Sequence, residues 1–124
     1  MSKKNKKSAL RTIHAERDSV CMGDDCNAPN AEEIPYNPDE CLYEFLVNRV
    51  AKYVPAITKS VWVILNYANK EVGYITFDKN CEVTCTIATK RDIYVYELGG
   101  SIFCRKYNYK EIEDKHLKYK SLLK

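Results

Sequence analysis

Residues 61–65, Val-Trp-Val-Ile-Leu, are apolar at every position. A run of that length between polar neighbours reads as a strand covered on both faces in the middle of a sheet. It belongs to "SVWVILNY", which "EVGYITF" follows across Asn69-Lys70, and the pair predicts a hairpin. Upstream, Leu10 to Met22 alternates as a strand, with Ile13 and Ala15 on one face and Thr12, His14 and Glu16 on the other. "AEEIPY" predicts a short second strand, and Pro35 confines it to a sheet edge or to its own last residues. Downstream, "CEVTCTIA", "DIYVYEL" and "SIFCRKY" predict three more strands, punctuated by Lys90-Arg91 and Gly99-Gly100.

A helical period replaces the alternation in "NPDECLYEFLVNRVAKY". Asn37 is a good N-cap, Pro38 suits the first helical position, and Glu40 stands where a capping-box partner belongs. Leu42, Phe45, Leu46, Val50 and Tyr53 form the stripe to be buried, and Pro55 stops the helix. Asn108 with Glu111 repeats the capping-box spacing and opens a C-terminal helix whose packing face is Ile112, His116, Tyr119 and Leu123.

These elements predict an α+β fold: a mixed sheet with a hairpin-helix-strand core, further antiparallel strands and a C-terminal helix. Residues 1–8 are Lys, Asn and Ser with little to bury and read as a disordered basic arm, leaving 9–124 as a single domain. The hairpin, the Pro-initiated amphipathic helix after a short acidic strand, and "VWVIL" resemble the ubiquitin-like β-grasp family over about residues 9–77. The resemblance implies a β-grasp-like core and brings no functional residue with it. The long loop after the first strand departs from the compact ubiquitin hairpin. The segment "RDSVCMGDDCNAP" also resembles one found in small uncharacterised proteins of Gram-positive bacteria and their mobile elements, and it names no activity.

Charge divides the chain more sharply than its net +3 suggests. Residues 1–17 hold six basic residues against Glu16. Residues 18–48 hold eight acidic residues and no Lys or Arg, and 49–124 hold fourteen basic against eight acidic. Such segregation points to a charged partner, or else to solvated faces. The six cysteines fall below the roughly 8–10% of a disulfide scaffold. Met1 to Lys7 is basic but leads into Ser8-Ala9-Leu10-Arg11 without the apolar run of a secretory signal, and no segment is long enough to span a membrane. A cytoplasmic protein with reduced thiols is therefore expected, with disulfides as the alternative.

The loop Arg17 to Asn30 gathers Cys21, Gly23, Asp24, Asp25 and Cys26. Zinc would need a matching pair, and Cys81 with Cys85, on one strand, stand about 13 Å apart. Calcium lacks its alternating acidic ligands, and two aspartates repel a phosphate. The loop is either a turn, with Gly23 at positive φ and an aspartate capping it, or an acidic contact surface. No metal or cofactor is expected. His14 and His116 are the only histidines, and no orienting group or oxyanion site accompanies a pair such as Cys21 with His14, so the chain is read as no enzyme.

The expected function is protein binding through an acidic surface of Asp24, Asp25, Glu32 and Glu33, as in an inhibitor or adaptor encoded by a phage or mobile element. The alternative is nucleic-acid or nucleotide binding through the basic, tyrosine-rich C-terminal face, using Arg105, Lys106, Tyr109, Lys110 and Lys118. Tyr94 and Tyr96 belong to that end, or else pack the terminal helix as neighbours on one strand face.

Overall fold

The computed structural model describes residues 10–19 and 30–123. The basic arm at 1–8 and the loop positions Cys21, Gly23, Asp24, Asp25 and Cys26 lie outside the described residues. Six strands form one mixed sheet: β1 (Arg11–Arg17), β2 (Ala31–Tyr36), β3 (Ser60–Leu65), β4 (Glu71–Phe77), β5 (Val83–Ile87) and β6 (Ser101–Asn108). Their order is β2-β1-β6-β3-β4-β5, antiparallel throughout except where β1 runs parallel to β6. The chain is an α+β protein, and among the described residues no helix is long and apolar enough to cross a membrane.

Every residue of β3 is buried, because β3 lies between β6 and β4 and both faces of the sheet are covered. Trp62 and Ile64 join Ile13, Ala15, Ile34, Ile75 and Cys104 under the first helix. Val61, Val63 and Leu65 point the other way and meet Tyr109, Ile112 and Tyr119 from the C-terminal segment. The period-two alternation of strand side chains thus divides one apolar run between two cores. Pro35 sits on β2, an edge strand, where its missing N–H breaks no ladder on the outer side.

The first helix, α1, runs as α over Leu42–Phe45, widens to a π turn over Leu46–Val50 and closes as α over Ala51–Tyr53. Leu42, Phe45, Leu46 and Val50 are fully buried, as the stripe requires, and Tyr53 is half-buried. Leu46 lies on Gly73 of β4, where a Cβ would stand 2.7 Å from Leu46 Cδ1 and 3.1 Å from the Thr86 carbonyl oxygen. Glycine is what lets the helix come that close.

The start of α1 differs from the expectation. Asn37 to Glu40 closes a single turn: the Glu40 N–H donates to the Asn37 carbonyl at 2.9 Å, and Glu40 Oε1 accepts from the Asn37 N–H at 3.0 Å. The chain then extends at Cys41, which bridges Tyr94, and the helix begins one residue later. Leu42 N–H donates to the Ile93 carbonyl at 2.7 Å and Tyr43 N–H to Asp92 Oδ1 at 2.9 Å. A carboxylate from a distant segment therefore caps the helix in place of Asn37, since that pairing satisfies the first N–H groups from outside.

The same exchange corrects "DIYVYEL". Only Tyr94 is bridged, and Val95–Leu98 coil into a 3-10 turn that ends at Gly99, φ 86°. The residues that would lengthen a strand are engaged with the start of α1, so no ladder grows from them. Cys81, expected on the strand with Cys85, instead lies before β5 at a turn with φ 61°.

At the C-terminus the capping box forms as expected: Glu111 N–H donates to Asn108 Oδ1 at 2.7 Å and opens α2 (Tyr109–Asp114). The expected packing face does not persist. His116 is exposed at φ 53° and reverses the chain, and a 3-10 turn over Lys118–Leu122 returns Tyr119 to the sheet.

Candidate functional site

The end of the β1–β2 pair where Glu16 meets Ala31 gathers carboxylates. His14 lies opposite Glu33 and Ala15 opposite Glu32 in the antiparallel register. His14, Glu16 and Glu33 share the face turned away from α1, and one imidazole joins all three. Its Nδ1 lies 2.6 Å from Glu33 Oε2 and its Nε2 2.8 Å from Glu16 Oε2. The hydrogen bond to Glu16, then that to Glu33, raises the His14 pKa above its ordinary 6.5. All three side chains are solvent-exposed, so the arrangement is an acidic corner with one titratable cation at its centre.

Glu32 does not join it. By alternation it faces the α1 side, where it lines an open cavity of about 370 Å³ with Arg17, Asn48, Arg49, Lys52 and Tyr53. Three of those groups are basic, and Arg17 lies over the Tyr53 ring at 5.8 Å. The Tyr53 hydroxyl donates to the Asn30 carbonyl at 2.5 Å and lies 3.2 Å from that of Ala15, which ties the end of α1 to β1 and to the residue that precedes β2. The sheet therefore separates Glu32 from Glu33, and Asp24 and Asp25 lie outside the described residues. Two other acids of the same block have structural work: Asp18 Oδ2 accepts from the Lys106 N–H at 2.9 Å, and Glu40 is buried against Arg49.

The basic candidates are also divided. Arg105 and Lys106 are adjacent on β6 and point to opposite faces, with Arg105 over the Phe103 ring at 5.7 Å. Tyr109, the first residue of α2, is buried against β3, and Lys110 pairs with Asp114 at 3.1 Å. Tyr94 and Tyr96 stack on each other at 5.5 Å, with Tyr94 bridged to Cys41 before α1, while Tyr107 and Tyr119 lie with the C-terminal segment.

Lys118 belongs to a cluster around Glu71 that sequence reading missed. Glu71 Oε1 accepts from the Tyr74 hydroxyl at 2.8 Å, and Oε2 accepts from the Tyr119 hydroxyl at 2.5 Å and pairs with Lys118 at 3.1 Å. Burial alone would push the Glu71 carboxyl up, but the hydrogen bonds from Tyr119, Tyr74 and Lys118 outweigh it and hold the pKa below the usual 4.5. Burial, then the bond to Glu71, pushes Tyr74 up to about 12. No local spacing announces this cluster, because Tyr119 arrives from the far end of the chain.

A depressed carboxylate pKa stabilises the fold above the unfolded value, and the contribution is lost as pH falls through the folded one. Glu71→Gln should therefore cost about 1–3 kcal/mol at neutral pH. Urea denaturation across pH should show the gap between wild type and variant closing below about 4.5. A gap that stays constant into acid would show that the charge on Glu71 is not what holds the C-terminal segment.

Among the described residues, Cys41, Cys81, Cys85 and Cys104 are unbridged, and no group of three or more His, Cys, Asp or Glu is placed to hold a metal ion. No family model, curated protein or solved structure matches the chain.

Proposed function

We propose that this protein is a non-catalytic binding module whose acidic corner engages a basic segment of another protein, in the manner of an inhibitor or adaptor. The carrying observation is the exposed Glu16–His14–Glu33 set at the end of the hairpin from which the Asp24-Asp25 segment leaves. Paired strands hold these carboxylates on one exposed face, a fixed array for a cationic partner. The nucleic-acid alternative has less support, because Arg105 and Lys106 diverge and Lys110 and Lys118 are paired with carboxylates.

The scaffold is read as a β-grasp-like core with an added edge strand. Support comes from the strand order β2-β1-β6-β3-β4 with its parallel pair inside, and from a helix that links the first hairpin to β3.

Tagged protein should capture its partner from the native cell, and reversal of Glu16 and Glu33 to Lys, or of Asp24 and Asp25 to Lys, should weaken capture with little change in melting temperature. Raising the pH through the His14 pKa removes the central cation and should strengthen capture. The sign for folding is opposite: a raised histidine pKa stabilises below the unfolded value and the gain is lost as pH rises through the folded one. Capture that survives both acidic reversals but is lost on reversing Lys110 and Lys118, with a steep fall as salt rises, would replace this reading by nucleic-acid binding.

A further inference from the structure

We infer that the outer edge of β5 is a self-association surface, on which a second copy of this chain pairs antiparallel about Cys85 to continue the sheet. The inference is independent of the acidic corner, which lies towards the opposite edge.

The two edges of the sheet are built differently. β2 carries Pro35, Glu32 and Glu33, the residues that keep an edge from pairing. β5 is Val-Thr-Cys-Thr-Ile, without charge or proline, and no strand lies beyond it among the described residues. Its backbone direction follows from two hydrogen bonds. Ala88 N–H donates to the Val72 carbonyl at 2.8 Å and Asp78 N–H to the Glu82 carbonyl at 3.1 Å. These lie in the register that pairs Cys85 with Ile75, so the even-numbered residues of β5 bond to β4. Val83, Cys85 and Ile87 consequently turn their N–H and C=O groups outward.

A two-fold axis at Cys85 makes those outward groups meet. Val83 then faces Ile87 of the second copy, Cys85 faces its own equivalent, and each facing pair exchanges both of its hydrogen bonds. Thr84 falls opposite Thr86, a favourable cross-strand pair, and the β-branched apolar residues oppose each other. A register shifted by one residue would bring inward-bonded groups to the seam.

The seam also gains apolar area from α1. Asn48, Arg49, Lys52 and Tyr53 line the cavity towards β2, so the opposite flank of the helix leans towards β5. That flank presents Tyr43 and Val47, 47% and 39% exposed, and β5 adds Val83 at 49%. An isologous pair places both sets along one seam. A five-residue strand edge is small against the ~1,200 Å² of a stable interface, so association should depend on concentration.

Sedimentation of the full chain over a concentration series tests this. The expected result is a rise from 14.4 kDa towards the dimer. Val83→Pro should abolish the rise and leave the melting temperature of the dilute protein unchanged, because the lost N–H faces outward and the ladder to β4 is untouched. Hydrogen exchange on the wild type gives a second readout that needs no variant. The amides of Val83, Cys85 and Ile87 should slow as concentration rises, while those of Thr84 and Thr86 stay protected throughout. A monomer at every concentration, a dimer that persists in folded Val83→Pro, or exchange at the three outward amides that ignores concentration would each overturn the proposal.

Discussion

Truncating Leu46 to alanine should lower the unfolding free energy by about 2–5 kcal/mol, towards the upper end of that range. The cost of a deleted core side chain depends on how far the site can collapse, and here it cannot collapse far. Leu46 is fully buried in the main core, and its Cδ1 lies directly over Gly73, which offers no side chain on that side. No side chain of Gly73 can move into the gap, and the backbone is held on both sides by the ladders of β4 with β3 and β5. Urea denaturation should show a lower midpoint with an unchanged slope, since the surface exposed on unfolding is nearly the same. A loss of only a few tenths of a kcal/mol would mean that α1 does not bear on β4 in solution.

Replacing Arg49 with methionine should cost about 3 kcal/mol, the low end for breaking a buried pair, because Arg49 itself is 28% exposed. Its Nε lies 2.9 Å and 3.2 Å from the two oxygens of Glu40, whose side chain is only 6% exposed. Glu40 would keep the Asn37 N–H and lose its only counter-charge among the described residues. Most of the penalty comes from the carboxylate left behind rather than from the attraction removed. The double variant Glu40→Leu/Arg49→Met should therefore recover at least half of the loss. A single-variant cost below about 1 kcal/mol, the range of exposed ion pairs, would show that water reaches Glu40 freely.

The pair also explains why the helix starts later than its local signal predicts. Asn37, Pro38 and Glu40 carry a strong local signal for a capping box, and half of it forms, with the Glu40 carboxylate on the Asn37 N–H. The helix still waits until Leu42, because Glu40 is drawn to Arg49 and the backbone at 40–42 is drawn to 93–95. At the other end of the chain the distant Lys59 carbonyl takes only the Tyr109 N–H, which leaves the Glu111 N–H to Asn108, and the identical signal gives the expected cap. Local chemistry decides a helix terminus only when no distant segment offers those N–H groups a better partner.

Of the two candidate surfaces, the sequence supplied composition and the register supplied position. The alternation that puts His14 and Glu16 on one face is legible in the residues of β1. That Glu33 joins them and Glu32 does not follows from the pairing of β1 with β2, which local pattern leaves open: a slip of one residue would exchange the two. The tyrosine-rich end divides for the same reason, with Arg105 and Lys106 parted by the pleat.

What the sequence determined by itself is what depends on near neighbours: the burial of Val61–Leu65, the apolar stripe of α1 and the cap at Asn108. What only the tertiary structure decided is what depends on partners far along the chain: the Asp92 cap on α1, the convergence of Tyr74, Lys118 and Tyr119 on Glu71, and the parallel contact of β1 with β6. Periodicity and capping are written within about a turn of helix or a strand's length. The choice among distant partners is made by the whole packed chain, where each group accepts whichever neighbour the sheet brings to it.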